Sequence, residues 1–178
     1  PLIIWTPDTP ARVISWRGAI GDGIRQLIAT LRQVRRHGDI ARFLLARLFY
    51  NDGLVTLFAV GGIYAKTTFG MTTAEVLQFG VAINVTAGMG AAAFAWIDDW
   101  IGSKRTILIS LAGLIVVAAG VLSAETTLAF LIWGSALGIF VGPVQAASRS
   151  MMAHLAPPGL ETEMFGLFAF SGKATAFI

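Results

Sequence analysis

Long apolar runs and short polar breaks follow one another along this chain. The apolar segments fall at about 43–65, 74–97, 106–124, 127–145 and 164 to the last residue. The first four hold roughly 19 to 24 residues, enough at about 1.5 Å per residue to cross a hydrocarbon core of about 30 Å. No ten-residue segments of period-two alternation occur, so the pattern is not that of a β-barrel. In lipid a helix satisfies its own backbone groups, and an open strand does not. The pattern therefore predicts an all-α membrane protein, a polytopic bundle of about five transmembrane helices with the fifth cut short.

Composition agrees. Of 178 residues, 56% are hydrophobic and 13% charged, with mean hydropathy +0.73. A soluble domain carries about a quarter charged residues. Cysteine is absent, which excludes disulfides, thiolate metal sites and a cysteine nucleophile. The opening "PLIIW" is too short for a signal-peptide core and lacks a basic flank. The chain starts on a clipped apolar segment and stops at "SGKATAFI" inside another. Both ends read as cuts through spans of a longer membrane protein.

Lys and Arg set the orientation. Segments 11–42, 98–105 and 146–163 hold ten bases: Arg12, Arg17, Arg25, Arg32, Arg35, Arg36, Arg42, Lys104, Arg105 and Arg149. The opposite loops hold only Lys66, and Arg47 and Lys173 fall within spans. The basic side is cytoplasmic. Within 11–42, Ile20, Ile24, Leu27, Ile28, Leu31 and Val34 recur at helical spacing beside the arginines. Two readings stand for this basic amphipathic linker: a helix lying on anionic lipid headgroups, or a connector packed on its own protein. The neighbouring membrane accounts for its charge, so no nucleic acid is expected.

Polar residues at membrane depth are the functional candidates. Asp52 lies near the midplane of the first span, with Asn51 beside it and Arg47 one turn toward the cytoplasm. Lys173 lies at comparable depth in the fifth. An Asp52–Lys173 ion pair or shared polar cluster is expected, serving either transport or helix packing. Asn84, Thr86 and Gln145 serve as ligand contacts or interhelical hydrogen bonds. Gly134, Gly138 and Gly142 form a small-residue face, and Gly80 and Gly88 do the same around Asn84. Pro143 is expected to kink its helix, and Thr162 to cap the last one with Glu163 near its positive end. In "AWIDDWIGSKR", Asp98 and Asp99 end one helix and Lys104 and Arg105 begin the next. The two charge pairs are expected to compensate each other across a turn at Gly102, a residue free to take φ > 0. No HExxH, GxSxG or phosphate-loop motif occurs, and His37 and His154 fall in cytoplasmic segments. The sequence calls for no enzyme activity, cofactor or metal.

"AWIDDWIGSKRTILIS" resembles the Asp-x-x-Gly-x-Lys/Arg-Arg loop of the major facilitator superfamily. "ARFLLARLFYNDGLVTLFAVGGIYA", "GPVQAASRSMMAHLAP" and "FGLFAFSGKATAF" resemble its vacuole-effluxer-like branch, related to fungal vacuolar amino-acid effluxers. The resemblance covers about residues 40–178. It implies that 1–7 is the end of a truncated transmembrane helix and 8–42 the cytoplasmic linker. It makes 43–178 an incomplete C-terminal bundle, helices 7 to 11 of twelve. It implies a secondary active transporter of a small solute, an amino-acid exporter, working by alternating access. Asp52, Lys173, Asn51 and Asn84 are its expected substrate or proton pathway. Asp99, Gly102, Lys104, Arg105 and Arg149 form its expected cytoplasmic gate, with Trp100 where the family usually has a base. Expected partners are the solute, anionic lipid and the N-terminal half. The expected location is the cell (inner) membrane, with the vacuolar membrane as alternative. The alternative function is a non-transporting scaffold or sensor on the same fold.

Overall fold

The computed structural model describes residues 38–173, with side chains through Gly172. The expectations placed on residues 1–37, His37 and the basic linker among them, lie outside the described residues. The described chain is helical: α1 (Gly38–Phe69), α2 (Thr73–Ile101), α3 (Ser103–Leu122), α4 (Thr127–Leu155) and α5 (Glu161–Lys173). The first four are long and apolar enough to cross a membrane.

Local chemistry sets each break. After α1, Gly70 takes φ +64°. Thr72 then caps α2: its hydroxyl accepts from the Glu75 amide, and the Glu75 carboxylate accepts in return from the Thr72 amide at 2.7 Å. Gly102 alone separates α2 from α3, at φ +84°, where a side chain would be strained. Thr126 caps α4 through the Ala129 amide. Gly159, at φ +86°, turns the chain into α5.

Two expectations need correction here. Thr162 is not the α5 cap, because the helix already starts at Glu161 and the Met164 amide bonds the Leu160 carbonyl. Glu161 does the polar work, accepting from the Gly159 amide at 2.9 Å. Amide hydrogen bonds, its own and that of Gly159, hold its carboxylate below the usual range. Nor does the fourth apolar run end its helix at 145. α4 continues through Pro143 to Leu155, since hydropathy marks where lipid stops rather than where helical hydrogen bonding does.

α4 is the spine, packed along both α2 and α3. On the α2 side, a methyl group added at Gly138 would strike Thr86 and the Ile83 carbonyl. One at Gly142 would strike the Ala87 carbonyl, and one at Gly134 the Phe79 ring. The expected small-residue face of α4 is therefore its seam with α2. The α2 partner is Gly90, against the Ile139 backbone. Gly80 and Gly88 are not packing glycines, because a methyl on either meets nothing within 4 Å. On the α3 side, the rings of Phe140 and Trp133 cover Gly113 and Gly120. Phe130 is buried where Tyr64, Phe69 and Phe79 converge, with ring centroids 4.8 to 5.9 Å away.

Outward faces are apolar, as lipid requires. Phe49, Ile63, Val81, Ile115 and Ile132 are exposed. Trp96 and Trp100, 84% and 92% exposed, stand beside Lys104 and Arg105 at the same end of the bundle, the pattern of an interfacial aromatic belt.

Gly138→Ala is expected to destabilise the bundle by about 1–3 kcal/mol through overpacking, whereas Gly88→Ala leaves stability unchanged or slightly raised. Thermal unfolding of the purified protein in detergent distinguishes the two.

Candidate functional site

Three residues one turn apart on α1, Arg47, Tyr50 and Asn51, face one way and carry most of the polar contacts between α1 and the rest of the bundle. Arg47 is 7% exposed. Its guanidinium lies over the Phe168 ring, 3.5 Å from the centroid. From Nη1 it donates to the Phe168 carbonyl and, at 2.8 Å, to Ser171 Oγ. Gly172 makes this approach possible, since a methyl there would lie 3.0 Å from the guanidinium nitrogens. Asn51 Nδ2 donates to the Gly172 carbonyl at 2.8 Å. Tyr50 shares a hydrogen bond with Ser148 of α4, which donates to the Val144 carbonyl.

Two clefts flank these contacts. One, about 430 Å³, lies between α1, α4 and α5 and is lined by Arg47, Asn51, Gln145, Arg149, Phe165 and Phe168, with Ala169 and Gly172. The other, about 550 Å³, lies between α1, α2 and α4 and includes Phe58, Ile83, Asn84, Gly88, Val141 and Gln145. Gln145 lines both. Asn84 reaches the second cleft while its Nδ2 donates to its own helix at Gly80, 2.8 Å away. Thr86 does not line this cleft; it bonds the Ser135 carbonyl at 2.7 Å across the α2–α4 seam.

The remaining expected site residues separate into two groups. Asp52 is exposed and lines neither cleft. Its expected partner Lys173 has a side chain outside the described residues, so that pairing stands apart from the geometry given above. Asp99, Gly102, Lys104 and Arg105 come together around a third cleft of about 720 Å³ at the end of α2, which Asp98, Ser150 and His154 also line. Arg149 is not among them and belongs instead with Arg47.

The expected compensation across the turn is absent among the described residues: no ion pair joins Asp98 or Asp99 to Lys104 or Arg105. Asp98 instead accepts from Ser103 Oγ at 3.2 Å, and Ser103 bonds Ser150 of α4 at 3.1 Å. The other Asp98 oxygen is buried without a partner. Solvent reaches Asp99, Lys104 and Arg105, so hydration replaces pairing. Sequence reasoning missed Tyr50, Ser148 and Ser171. The signal for them was the i, i+3, i+4 spacing of Arg47, Tyr50 and Asn51, three polar residues on one stripe of an apolar span.

A family model described as vacuole effluxer Atg22 like matches residues 1–178, the whole chain. The chain belongs to this family. Among similar proteins is autophagy-related protein 22 of Cryptococcus neoformans var. neoformans serotype D (strain JEC21), 25% identical over 83% of this chain and 28% of that protein. The protein of the same name from Pichia angusta is 26% identical over 88% of this chain and 30% of its own length. An uncharacterized MFS-type transporter of Bacillus subtilis, YxiO, is 26% identical over 85% of this chain and 35% of that protein. The chain thus spans about a third of the length of the curated relatives it matches. No solved structure matches it. As a member of this family, the chain is a multi-pass membrane protein, and an MFS-type transporter is among its relatives.

Arg47→Met removes charge-assisted hydrogen bonds to Phe168, Ser171 and Tyr50 and is expected to cost about 1.5–3 kcal/mol. Arg42→Met, at an exposed i, i+3 pair with Asp39, is expected to change stability by less than about 0.5 kcal/mol. Comparing thermal midpoints of the two variants checks this.

Proposed function

We propose that this chain forms the C-terminal half of an alternating-access secondary transporter that exports a small solute, an amino acid. The observation that carries the reading is the pair of clefts between apolar helices, meeting at Gln145 and lined in part by amides and guanidiniums. Polar cavities inside a lipid-embedded fold are costly unless something polar passes through them. The word effluxer in the family's description supports export, and the resemblance to fungal vacuolar amino-acid effluxers supports the solute class.

In this reading Asn51 and Asn84 stand in the solute path, one in each cleft, and Asp52 and Lys173 complete it as solute or proton groups. Asp52 is exposed on this bundle, and in this reading the N-terminal half must cover it. Asp99, Gly102, Lys104 and Arg105 form the cytoplasmic gate, their charges free to pair with that half in one state and to be hydrated in the other. Arg149 lies on the solute side of this gate. Anionic headgroups attract the basic linker, in the cell membrane or a vacuolar one.

Uptake and efflux of a labelled amino-acid panel by the complete protein in proteoliposomes tests the reading. Asp52→Asn and Lys173→Met are expected to lower transport at least about tenfold, typical for loss of a positioned acid–base group, with folding intact. Full transport by both variants removes these two residues from the path. No transport of any panel member by the unmodified protein removes the amino-acid assignment.

A further inference from the structure

Among the described residues, the smaller cleft carries cations and no acid. Arg47 is almost wholly buried, yet no carboxylate among the described residues lies within ion-pair distance of it. Its hydrogen bonds to α5 leave from Nη1 and the Tyr50 side chain takes another, which leaves part of its five-donor fork unused. Arg149 lines the same cleft, exposed, and makes no hydrogen bond or ion pair with any described group. No Asp or Glu is among the lining residues. Two guanidiniums at the wall of one cleft within a bundle embedded in lipid call for an anion.

The rest of the lining narrows what that anion is. Asn51 spends its Nδ2 on the Gly172 carbonyl, which leaves its Oδ1 as an acceptor. Gln145 has no hydrogen-bond partner among the described residues. The cleft thus pairs two cationic forks with two amide oxygens. Stacking on Phe168 holds the Arg47 fork in place before a ligand arrives. A planar carboxylate fits such a fork through two parallel hydrogen bonds.

We propose that Arg47 and Arg149 bind the carboxylate of the transported solute, while the Asn51 and Gln145 oxygens receive its ammonium. About 430 Å³ accommodates one small zwitterion. The amino-acid identity of the ligand rests on the transport reading. The anion preference of the cleft does not.

The chain has no cysteine, and Ala169 is an exposed residue of the cleft wall. Ala169→Cys in the complete protein, with any other cysteines replaced, therefore places one thiol at the site. In lipid nanodiscs, a sulfonate-bearing methanethiosulfonate is expected to modify this thiol at least about tenfold faster than its trimethylammonium counterpart, as a focusing cationic cleft requires. Adding Arg149→Gln, a change at a side chain with no bonds to other described residues, is expected to bring that ratio close to one. An equimolar mixture of the twenty amino acids is expected to slow the labelling, and the matching α-carboxamides are not. Arg47→Lys keeps the charge but not the fork, and is expected to keep the anion preference while losing protection by the amino acids.

Faster labelling by the cationic reagent, or no labelling by either, overturns the anion site. Equal protection by acids and carboxamides overturns the carboxylate assignment, as does protection by inorganic phosphate in place of amino acids. Proteoliposome uptake is read separately, so transport without carboxylate protection refutes this proposal and leaves the transport reading standing.

Discussion

A buried guanidinium with no acid partner among the described residues holds α1 to α5. Arg47 rests on the Phe168 ring and bonds the backbone and hydroxyl of α5, and the arrangement around both clefts follows from it. In lipid, apolar surfaces gain little by meeting each other, so helices associate through close packing and hydrogen bonds. This chain uses the two means in different places. α2 and α3 are pressed onto α4 at glycines, where a single added methyl would collide with backbone or ring. α1 is joined to α4 and α5 by side chains, and its own glycines, Gly53, Gly61 and Gly62, meet at most one methyl group, 3.9 Å from an added Cβ.

These two kinds of contact differ in what they permit. Backbone-close packing at Gly90, Gly138 and Gly142 has little tolerance for sliding, so α2 and α4 behave as one body. A hydrogen bond from Asn51 or Arg47 can be exchanged for one to water or to a ligand at small net cost. Clefts form where side chains, rather than backbones, span the distance between helices. A ligand that bonds Arg47 and Gln145 more strongly in one spacing of α1 and α4 than in another shifts the balance between them. The Gly102 turn lies against the C-terminal part of α4, where Ser103 bonds Ser150, one residue from Arg149.

Much of this was legible in the chain. The apolar runs gave four spans, and Gly134, Gly138 and Gly142 a packing face. Gly102 was foreseen in the conformation it adopts. Other features were beyond reach for physical reasons. Asn51 and Asp52 are neighbours, but one residue is 100° of helix rotation, and hydropathy cannot say which of two adjacent polar residues faces inward. Gly80 and Gly88 share the spacing of packing glycines yet line a cleft, because spacing is blind to what stands opposite. Arg149 follows the α4 span in sequence and so reads as a gate residue, whereas the continued helix carries it to the cleft of Arg47.

In these terms α1 is a separable element hinged on polar contacts, while α2 and α4 form one rigid body. The most direct test is a pair of spin-label distances in the complete protein in nanodiscs. Labels at the exposed positions Val60 of α1 and Ile132 of α4 report one spacing, and labels at Val81 of α2 and Ile132 report the other. A hinged α1 requires that a saturating amino-acid mixture redistribute the first distance and leave the second unchanged. Two invariant distances, or two that shift together, would contradict it.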